Sequence, residues 1–267
     1  MPKLVYIGGY GRSGSTLLEY ILSCSEEVVA CGEIASHIYK YGLIKTCTCG
    51  RAVADCPVWG GFQHGSGKLP DWNHEALTVA MLSHVSSDYA VMVDSSKTAW
   101  GSLLTPFRLR KRVVEDLLLV HLVRGPMPVC WSTVRTRHNF GPPSTAAMRC
   151  LRTALGWTLA NMASALFGWC YRDQYLCFRY EDLVRSPQQV VNAIMKKTSL
   201  PPPRDLDHCG TGGNRHQLYG NSMRFNPLSQ VSEDTAWKTE MPRGLKGLVW
   251  GLCWPLGVRY GYRWPSR

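Results

Sequence analysis

The chain has 267 residues, and its 30 Lys and Arg residues against 19 Asp and Glu residues give a formal net charge of +11. With 45% hydrophobic and only 18% charged residues, it has enough apolar surface to offset the entropy of folding, which excludes an intrinsically disordered protein. A mean hydropathy of −0.14, with no apolar run near the roughly 20 residues of a membrane-spanning helix, argues against an integral membrane protein.

Short apolar runs alternate with longer helical patterns along the chain. The strand-like runs are residues 4–8, 89–93, 117–123 and 175–178. They are apolar on both faces, as in parallel strands that helices cover on both sides. The longest helical pattern, 145–171, has an apolar stripe that we expect in the core: Met148, Leu151, Leu155, Met162, Leu166 and Trp169. This alternation predicts an α/β fold with a central parallel sheet, in one domain over residues 1–267.

A glycine-rich loop, GGYGRSGST at residues 8–16, lies between the first predicted strand and a helical pattern over 15–24. Backbone N–H groups of such a loop, together with the N-terminus of the helix, bind phosphate. Against the P-loop pattern GxxxxGK(S/T), Ser15 replaces the lysine that reaches the β- and γ-phosphates of a nucleotide. The loop therefore predicts a site for one 5′-phosphate-type group, with Arg12 as the nearest cation.

A cysteine-rich segment, predicted as an insertion at about residues 46–72, contains three thiols within ten residues. These are Cys47, Cys49 and Cys56. Three thiols can bind zinc with a fourth ligand, for which Cys31 and His64 are candidates. The alternative is a turn with buried thiols, and we expect most of the 11 cysteines to be reduced.

The motif RSGSTLL resembles the 5′-phosphosulfate loop of sulfotransferases. These enzymes have a P-loop-like, three-layer α/β fold and use 3′-phosphoadenosine 5′-phosphosulfate (PAPS) as the donor. The resemblance implies that the loop binds the donor through Gly11, Arg12, Ser13, Gly14, Ser15 and Thr16.

Further motifs follow in the order found in this family. LVHLVRGPMPVCWSTVR is similar to the family's 3′-phosphate site, which implies that Arg124 and Ser132 bind that phosphate. FRYEDLVRSPQQV resembles the segment whose tyrosine contacts adenine, a role carried to Tyr180. GNSMRF looks like the late loop that closes over the nucleotide, which makes Arg224 a further phosphate ligand.

The motif CGEIASH supplies the candidate base. Glu33 follows Arg12 by 21 residues, and tyrosylprotein sulfotransferases have their catalytic glutamate at the same interval. His37, one helical turn further on, is the alternative base. Lys97 and Ser222 are candidates for secondary catalytic roles near the bridging oxygen of the donor. Because cations and backbone N–H groups can supply the positive field, no metal is required.

Two other hypotheses about the function stay open. A small-molecule kinase would need the missing loop lysine and a magnesium-binding carboxylate. The net charge and the run RLRKR at residues 108–112 suggest a nucleic-acid-binding protein. The run is more typical of a solvated helix face, so we expect no nucleic-acid partner. Leu17 stands where cytosolic sulfotransferases have a tryptophan, which favours the bacterial and tyrosylprotein branches.

The acceptor is not identified by the sequence. A small-molecule, carbohydrate, lipid-linked or phenolic hydroxyl fits the expected chemistry. The C-terminal tail, predicted to be helical at about 242–267, is basic and aromatic from residue 250 onward and is a candidate for contact with a membrane surface or a second subunit. The N-terminus has no pattern typical of a signal peptide, so we expect a cytoplasmic protein.

Overall fold

The structure is a computed structural model that describes residues 2–39, 43–63, 73–85, 87–97, 102–113, 116–136, 145–203, 206, 214–220, 222–225 and 233–264. Its strands are β1 (Lys3–Gly8), β2 (Val28–Ala30), β3 (Val91–Asp94), β4 (Leu117–Val123) and β5 (Tyr175–Arg179). Its helices are α1 (Ser15–Leu22), α2 (Ile34–Tyr39), α3 (Gly60–Gln63), α4 (His74–Val85), α5 (Thr105–Val113), α6 (Pro126–Arg135), α7 (Ala146–Cys170), α8 (Tyr180–Arg185), α9 (Pro187–Thr198), α10 (Ala236–Glu240) and α11 (Arg243–Arg259).

The five strands form one parallel sheet in the order β2-β3-β1-β4-β5. Because all the strands are parallel, their carboxyl ends lie along one edge of the sheet, where ligands bind in open α/β folds. The segments that follow β1, β3, β4 and β5 at this edge contain the glycine-rich loop, Lys97, Arg124 and Tyr180. The fold therefore brings four predicted site segments to the same edge.

Helices cover both faces of the sheet, which confirms the predicted α/β fold. Side chains alternate along β1, so that Val5 and Ile7 pack in one core cluster with residues of α1 and α9. Leu4 and Tyr6 lie in the cluster on the opposite face with residues of α4 and α5.

Strands β1 and β5 are each one residue longer than predicted, and two other strands differ more from the sequence-based prediction. The run predicted at 89–93 becomes β3 only from Val91, because the N–H of Tyr89 donates to the carbonyl of Val85 in a turn after α4. Strand β2 has only three residues, too few for periodicity to distinguish a strand from a turn. Strand β4 has the predicted bounds.

The apolar stripe expected in the core of α7 was predicted wrongly. Met148, Met162 and Trp169 are 56%, 51% and 73% exposed. The helix instead buries a face that includes Trp157 and Phe167. When a helix has apolar residues on two sides, its packing partners determine which side is buried. Helix α7 packs on α6 and α11 through the side that contains Trp157.

Most of the C-terminal tail forms α11, which packs against α6 and α7. Trp254 and Trp264 remain exposed, and contact of this tail with a membrane surface or a second subunit stays a prediction. Among the helices in the described parts of the chain, none combines the length and apolar character needed to cross a membrane.

Candidate functional site

The glycine-rich loop has the backbone of an anion-binding turn. Gly14, at the N-terminal cap of α1, has a φ of 93°, and no side chain of the described residues caps the helix. Arg12 also has a positive φ, 68°, which is uncommon for a residue with a side chain. The hydroxyl of Ser13 is buried without a hydrogen-bond partner among the described residues. The Ser13 hydroxyl and the backbone N–H groups at the start of α1 are hydrogen-bond donors, and together they fit an anionic group placed there.

Tyr180, the first residue of α8, lies against this loop. A Cβ atom at Gly14 would overlap the ring of Tyr180. The glycine is therefore required both by its φ and by the approach of the ring. The two motifs that contain these residues, far apart in the sequence, form one surface.

Arg124 joins the loop to this tyrosine from the end of β4. Its Nη1 donates to the carbonyl of Arg12 at 3.1 Å, and its guanidinium carbon lies 4.4 Å from the centre of the Tyr180 ring. The residue is only 7% exposed. A buried guanidinium held by a carbonyl and a ring face is a fixed positive charge beside the loop. Ser132 lies on the following helix, α6, and is half-buried.

Lys97 lies on another side of the loop, near Gly11. A Cβ atom at Gly11 would lie 3.6 Å from Cδ of the lysine. The Nζ of Lys97 forms an ion pair with Oε1 of Glu33. Burial lowers the pKa of Lys97 to about 8. The charge of Glu19 raises this pKa, and the charge of Arg12 lowers it. The side chain of Lys97 thus connects the glycine-rich loop to a carboxylate.

Glu33 stands immediately before α2 and is partly exposed. Its Oε2 accepts a hydrogen bond from Ser36 at 3.1 Å, and its backbone N–H donates to the carbonyl of Tyr219 at 3.5 Å. The glutamate is therefore positioned by its own helix and by the late segment 214–220.

The late loop lies at the start of α1. A Cβ atom at Gly220 would lie 3.9 Å from Oγ1 of Thr16. Arg224, in the short helical turn Ser222–Phe225, donates to the carbonyl of Gly220 at 2.8 Å, and burial lowers its pKa. The side chain of Ser222 lies outside the described residues.

The part of the chain that contains these segments, apart from the late loop, matches a family profile. The profile, described as the sulfotransferase family, covers residues 2–204. The chain belongs to the sulfotransferase family. No curated protein matches its sequence.

Solved structures share the fold of this sulfotransferase. The sulfotransferase domain of the Synechococcus PCC 7002 olefin synthase is 19% identical with a TM-score of 0.56, and the match covers 99% of this chain and 96% of that one. The sulfotransferase domain from the curacin biosynthetic pathway is 20% identical with a TM-score of 0.59, covering 99% of both chains. Mouse sulfotransferase SULT7A1, solved in complex with PAP, is 11% identical with a TM-score of 0.56, covering 97% of this chain and 87% of that one.

His37 is part of the core of this sulfotransferase. It is fully buried, its ring lies 4.7 Å from that of Trp59, and its Nδ1 is 3.5 Å from the hydroxyl of Tyr219. Burial lowers its pKa to about 4, so the imidazole is neutral near pH 7. Glu33, in contrast, forms an ion pair with Lys97 beside the loop.

Glu19 is a buried carboxyl group that the sequence analysis missed. Its Oε1 accepts from the N–H of Gly32 at 2.9 Å, and its Oε2 accepts from Ser95 at 3.0 Å and from Gln217 at 2.6 Å. Burial raises its pKa to about 8. It connects α1 to three segments around Glu33. The available signal was one acidic residue in the otherwise apolar helix STLLEYIL.

The site does not favour the hypothesis of a small-molecule kinase. Ser15 occupies the position of the kinase lysine. Asp94, the carboxylate at the end of β3, lies 2.8 Å from Nε2 of His74 and accepts from the N–H of Ser96 at 2.8 Å. A carboxylate held by these groups is less available to a magnesium ion.

The basic run at 108–112 lies on α5. Arg108 pairs with Glu75 at 3.7 Å, and Arg110 donates to Gln174 at 2.8 Å. Two of its cations are thus used in contacts within the protein.

Proposed function

We propose that this sulfotransferase transfers a sulfuryl group from PAPS to an acceptor hydroxyl. One observation carries the proposal: the glycine-rich loop has a fixed guanidinium on one side, Arg124, and the Lys97–Glu33 ion pair on another. A phosphate-binding loop beside a cation and a carboxylate supplies the parts needed for donor binding and proton removal.

The donor is proposed to bind along the edge of the sheet. The loop N–H groups, the Ser13 hydroxyl and the start of α1 would hold the 5′-phosphosulfate. Arg124 and Ser132 would bind the 3′-phosphate, and Tyr180 would contact adenine. Arg224 would complete the phosphate contacts from the late loop. The structure of the mouse sulfotransferase in complex with PAP gives this donor class support from a protein of the same fold.

The proposed reaction is a displacement at sulfur. The acceptor oxygen forms a bond to sulfur as the bond from sulfur to the bridging oxygen breaks, and the electron pair of that bond stays on the 5′-phosphate of the product, 3′-phosphoadenosine 5′-phosphate (PAP). The acceptor proton passes to the carboxylate of Glu33. Lys97 and Arg12 offset the negative charge that develops on the bridging oxygen.

Glu33 is the proposed base rather than His37. The carboxylate is partly exposed beside the loop, whereas the imidazole is enclosed by Trp59 and Tyr219. A base must come within hydrogen-bond reach of the acceptor proton. The acceptor class remains as the sequence predicted it: a phenolic, carbohydrate, lipid-linked or other small-molecule hydroxyl.

Calorimetric titration of the purified protein tests the donor. PAP, adenosine 5′-phosphosulfate and ATP with magnesium are titrated in parallel into wild type and Arg124→Ala. We expect PAP to bind most tightly and the substitution to weaken it about 10- to 100-fold, the scale of lost charge-assisted hydrogen bonds.

Arg110→Ala is the matched control. It removes an arginine near Lys3 and Leu117, at the amino ends of β1 and β4, and should leave PAP affinity unchanged. Binding of ATP with magnesium in preference to PAP would overturn the proposed donor and return the kinase to consideration.

A further inference from the structure

Four potential metal ligands converge away from the loop. Sγ of Cys56 lies 3.6 Å from Sγ of Cys47, 4.0 Å from Sγ of Cys49 and 3.2 Å from Nδ1 of His216. All four ligand atoms lie within 4.8 Å of one another. Three of the four residues are buried and Cys49 is partly buried.

These separations are close to those of a tetrahedral zinc site. With Zn–S bonds of about 2.3 Å and Zn–N bonds of about 2.0 Å, the sulfur atoms of a tetrahedron lie roughly 3.7 Å apart and sulfur lies roughly 3.5 Å from nitrogen. The sulfur–sulfur distances are 3.6 and 4.0 Å, and the Nδ1 of His216 lies 3.2 Å from the sulfur of Cys56 and 4.0 Å from that of Cys47. These four distances lie within about 0.5 Å of the tetrahedral values. One ion at the centre would contact all four groups.

The backbone around the thiols is folded as a tight loop. The N–H of Cys47 donates to the carbonyl of Arg51 at 2.9 Å, and the N–H of Gly50 donates back to the carbonyl of Cys47 at 3.0 Å. Gly50 has a φ of 83°, a conformation that glycine adopts without strain. This turn points Cys47 and Cys49 toward the same centre.

We propose that Cys47, Cys49, Cys56 and His216 bind one zinc ion in a closed, structural site. The sequence had suggested Cys31 or His64 as the fourth ligand. Cys31 is buried in the same core but is not in the group, and His64 lies outside the described residues. His216 reaches the thiols because the N–H of this histidine donates to the carbonyl of Ala30 at 2.8 Å beside β2.

The ion would fasten the late segment to the sheet. Gln217 follows the histidine ligand, and the side chain of Gln217 donates to Glu19. Two residues further on, the carbonyl of Tyr219 accepts from the N–H of Glu33. Zinc binding releases the thiol protons and contributes to folding stability. The metal is therefore assigned a structural role beside the site, and this assignment stands whether or not the proposed reaction is correct.

Metal analysis of the full chain tests the proposal. The protein is purified under reducing conditions without chelators and is then dialysed. Its zinc content is measured by inductively coupled plasma mass spectrometry. We expect one zinc per chain in wild type, loss of most of it in Cys49→Ser and His216→Gln, and full retention in the control Cys31→Ala. Zinc lost from the control but kept by His216→Gln would overturn the ligand set.

X-ray absorption at the zinc edge of wild type does not depend on the folding of any variant. We expect three sulfur ligands and one nitrogen ligand. A metal-free chain, a first shell of oxygen atoms, or a disulfide between Cys47 and Cys56 found by peptide mapping would each overturn the proposal.

Discussion

A carboxylate oxygen of Asp234 lies 3.9 Å from Nη2 of Arg124, and the same carboxylate contacts Arg135 at 2.9 Å. Asp234, just before α10, thus places a negative charge between two cations at the proposed 3′-phosphate site. A phosphate group bound to Arg124 would compete with this carboxylate, because both need the same guanidinium donors.

Asp234→Asn should therefore tighten the binding of PAP. We expect a two- to fivefold lower Kd by calorimetry, about the scale of a partly exposed ion pair. Glu233→Gln, at the adjacent exposed position, changes the net charge equally and serves as the control. An equal gain in both variants would show that total charge, not competition at Arg124, is responsible.

Glu33→Gln should abolish most turnover without removing the donor site. A general base contributes about 10²- to 10⁴-fold to a rate, so kcat should fall by at least about 10²-fold while the affinity for PAP stays within about twofold. The rate is measured with PAPS and the best acceptor from a panel of phenols and sugars. Glu75→Gln, which changes a carboxylate on α4, should keep its kcat. Weaker PAP binding with an unchanged kcat would assign Glu33 to donor binding instead.

Gly14→Ala should damage both stability and donor binding. The new methyl group would overlap the Tyr180 ring in a backbone with a φ of 93°, and we expect a loss of about 1–3 kcal/mol in the free energy of unfolding. Gly247→Ala is the opposite case, because no atom of the described residues, apart from its chain neighbours and the backbone of its own helix, lies within 4 Å of the added Cβ. Within α11 it should stabilise by about 0.5–1 kcal/mol. Chemical denaturation measures both changes, and a neutral Gly14→Ala would contradict the described packing of Tyr180.

Glu19 should make stability depend on pH. Burial raises its pKa from 4.5 to about 8, so the folded chain keeps a proton that the unfolded chain releases. The resulting stabilisation is complete below about pH 4.5 and is lost as the pH rises through about 8. Between about pH 5.5 and 8.5, we expect the Tm of wild type to fall by several degrees more than that of Glu19→Gln. The exposed Glu27→Gln is the control, and identical profiles for wild type and Glu19→Gln would show that the carboxyl group is ionised in the folded chain.

Several elements follow directly from neighbouring residues in the chain. The glycine-rich loop, the helix after it and strand β4 were predictable, because phosphate-loop turns and buried strands depend on residues close together in sequence. The segments of the candidate site were also identified one motif at a time. Their meeting at one edge of the sheet follows from parallel strand order, which the alternation of elements only implies.

The contacts that complete these sites required the folded chain. Arg124 and Asp234 are separated by 110 positions, Cys47 and His216 by 169, and Glu19 and Gln217 by 198. No local pattern pairs residues at such distances, and the exposed stripe of α7 shows that even a regular apolar pattern does not choose its packing partner. Local sequence was sufficient for the loop and its neighbouring strand and helix, whereas the fourth ligand of the cysteine cluster, the partners of Arg124 and the burial of Glu19 depended on how distant segments pack.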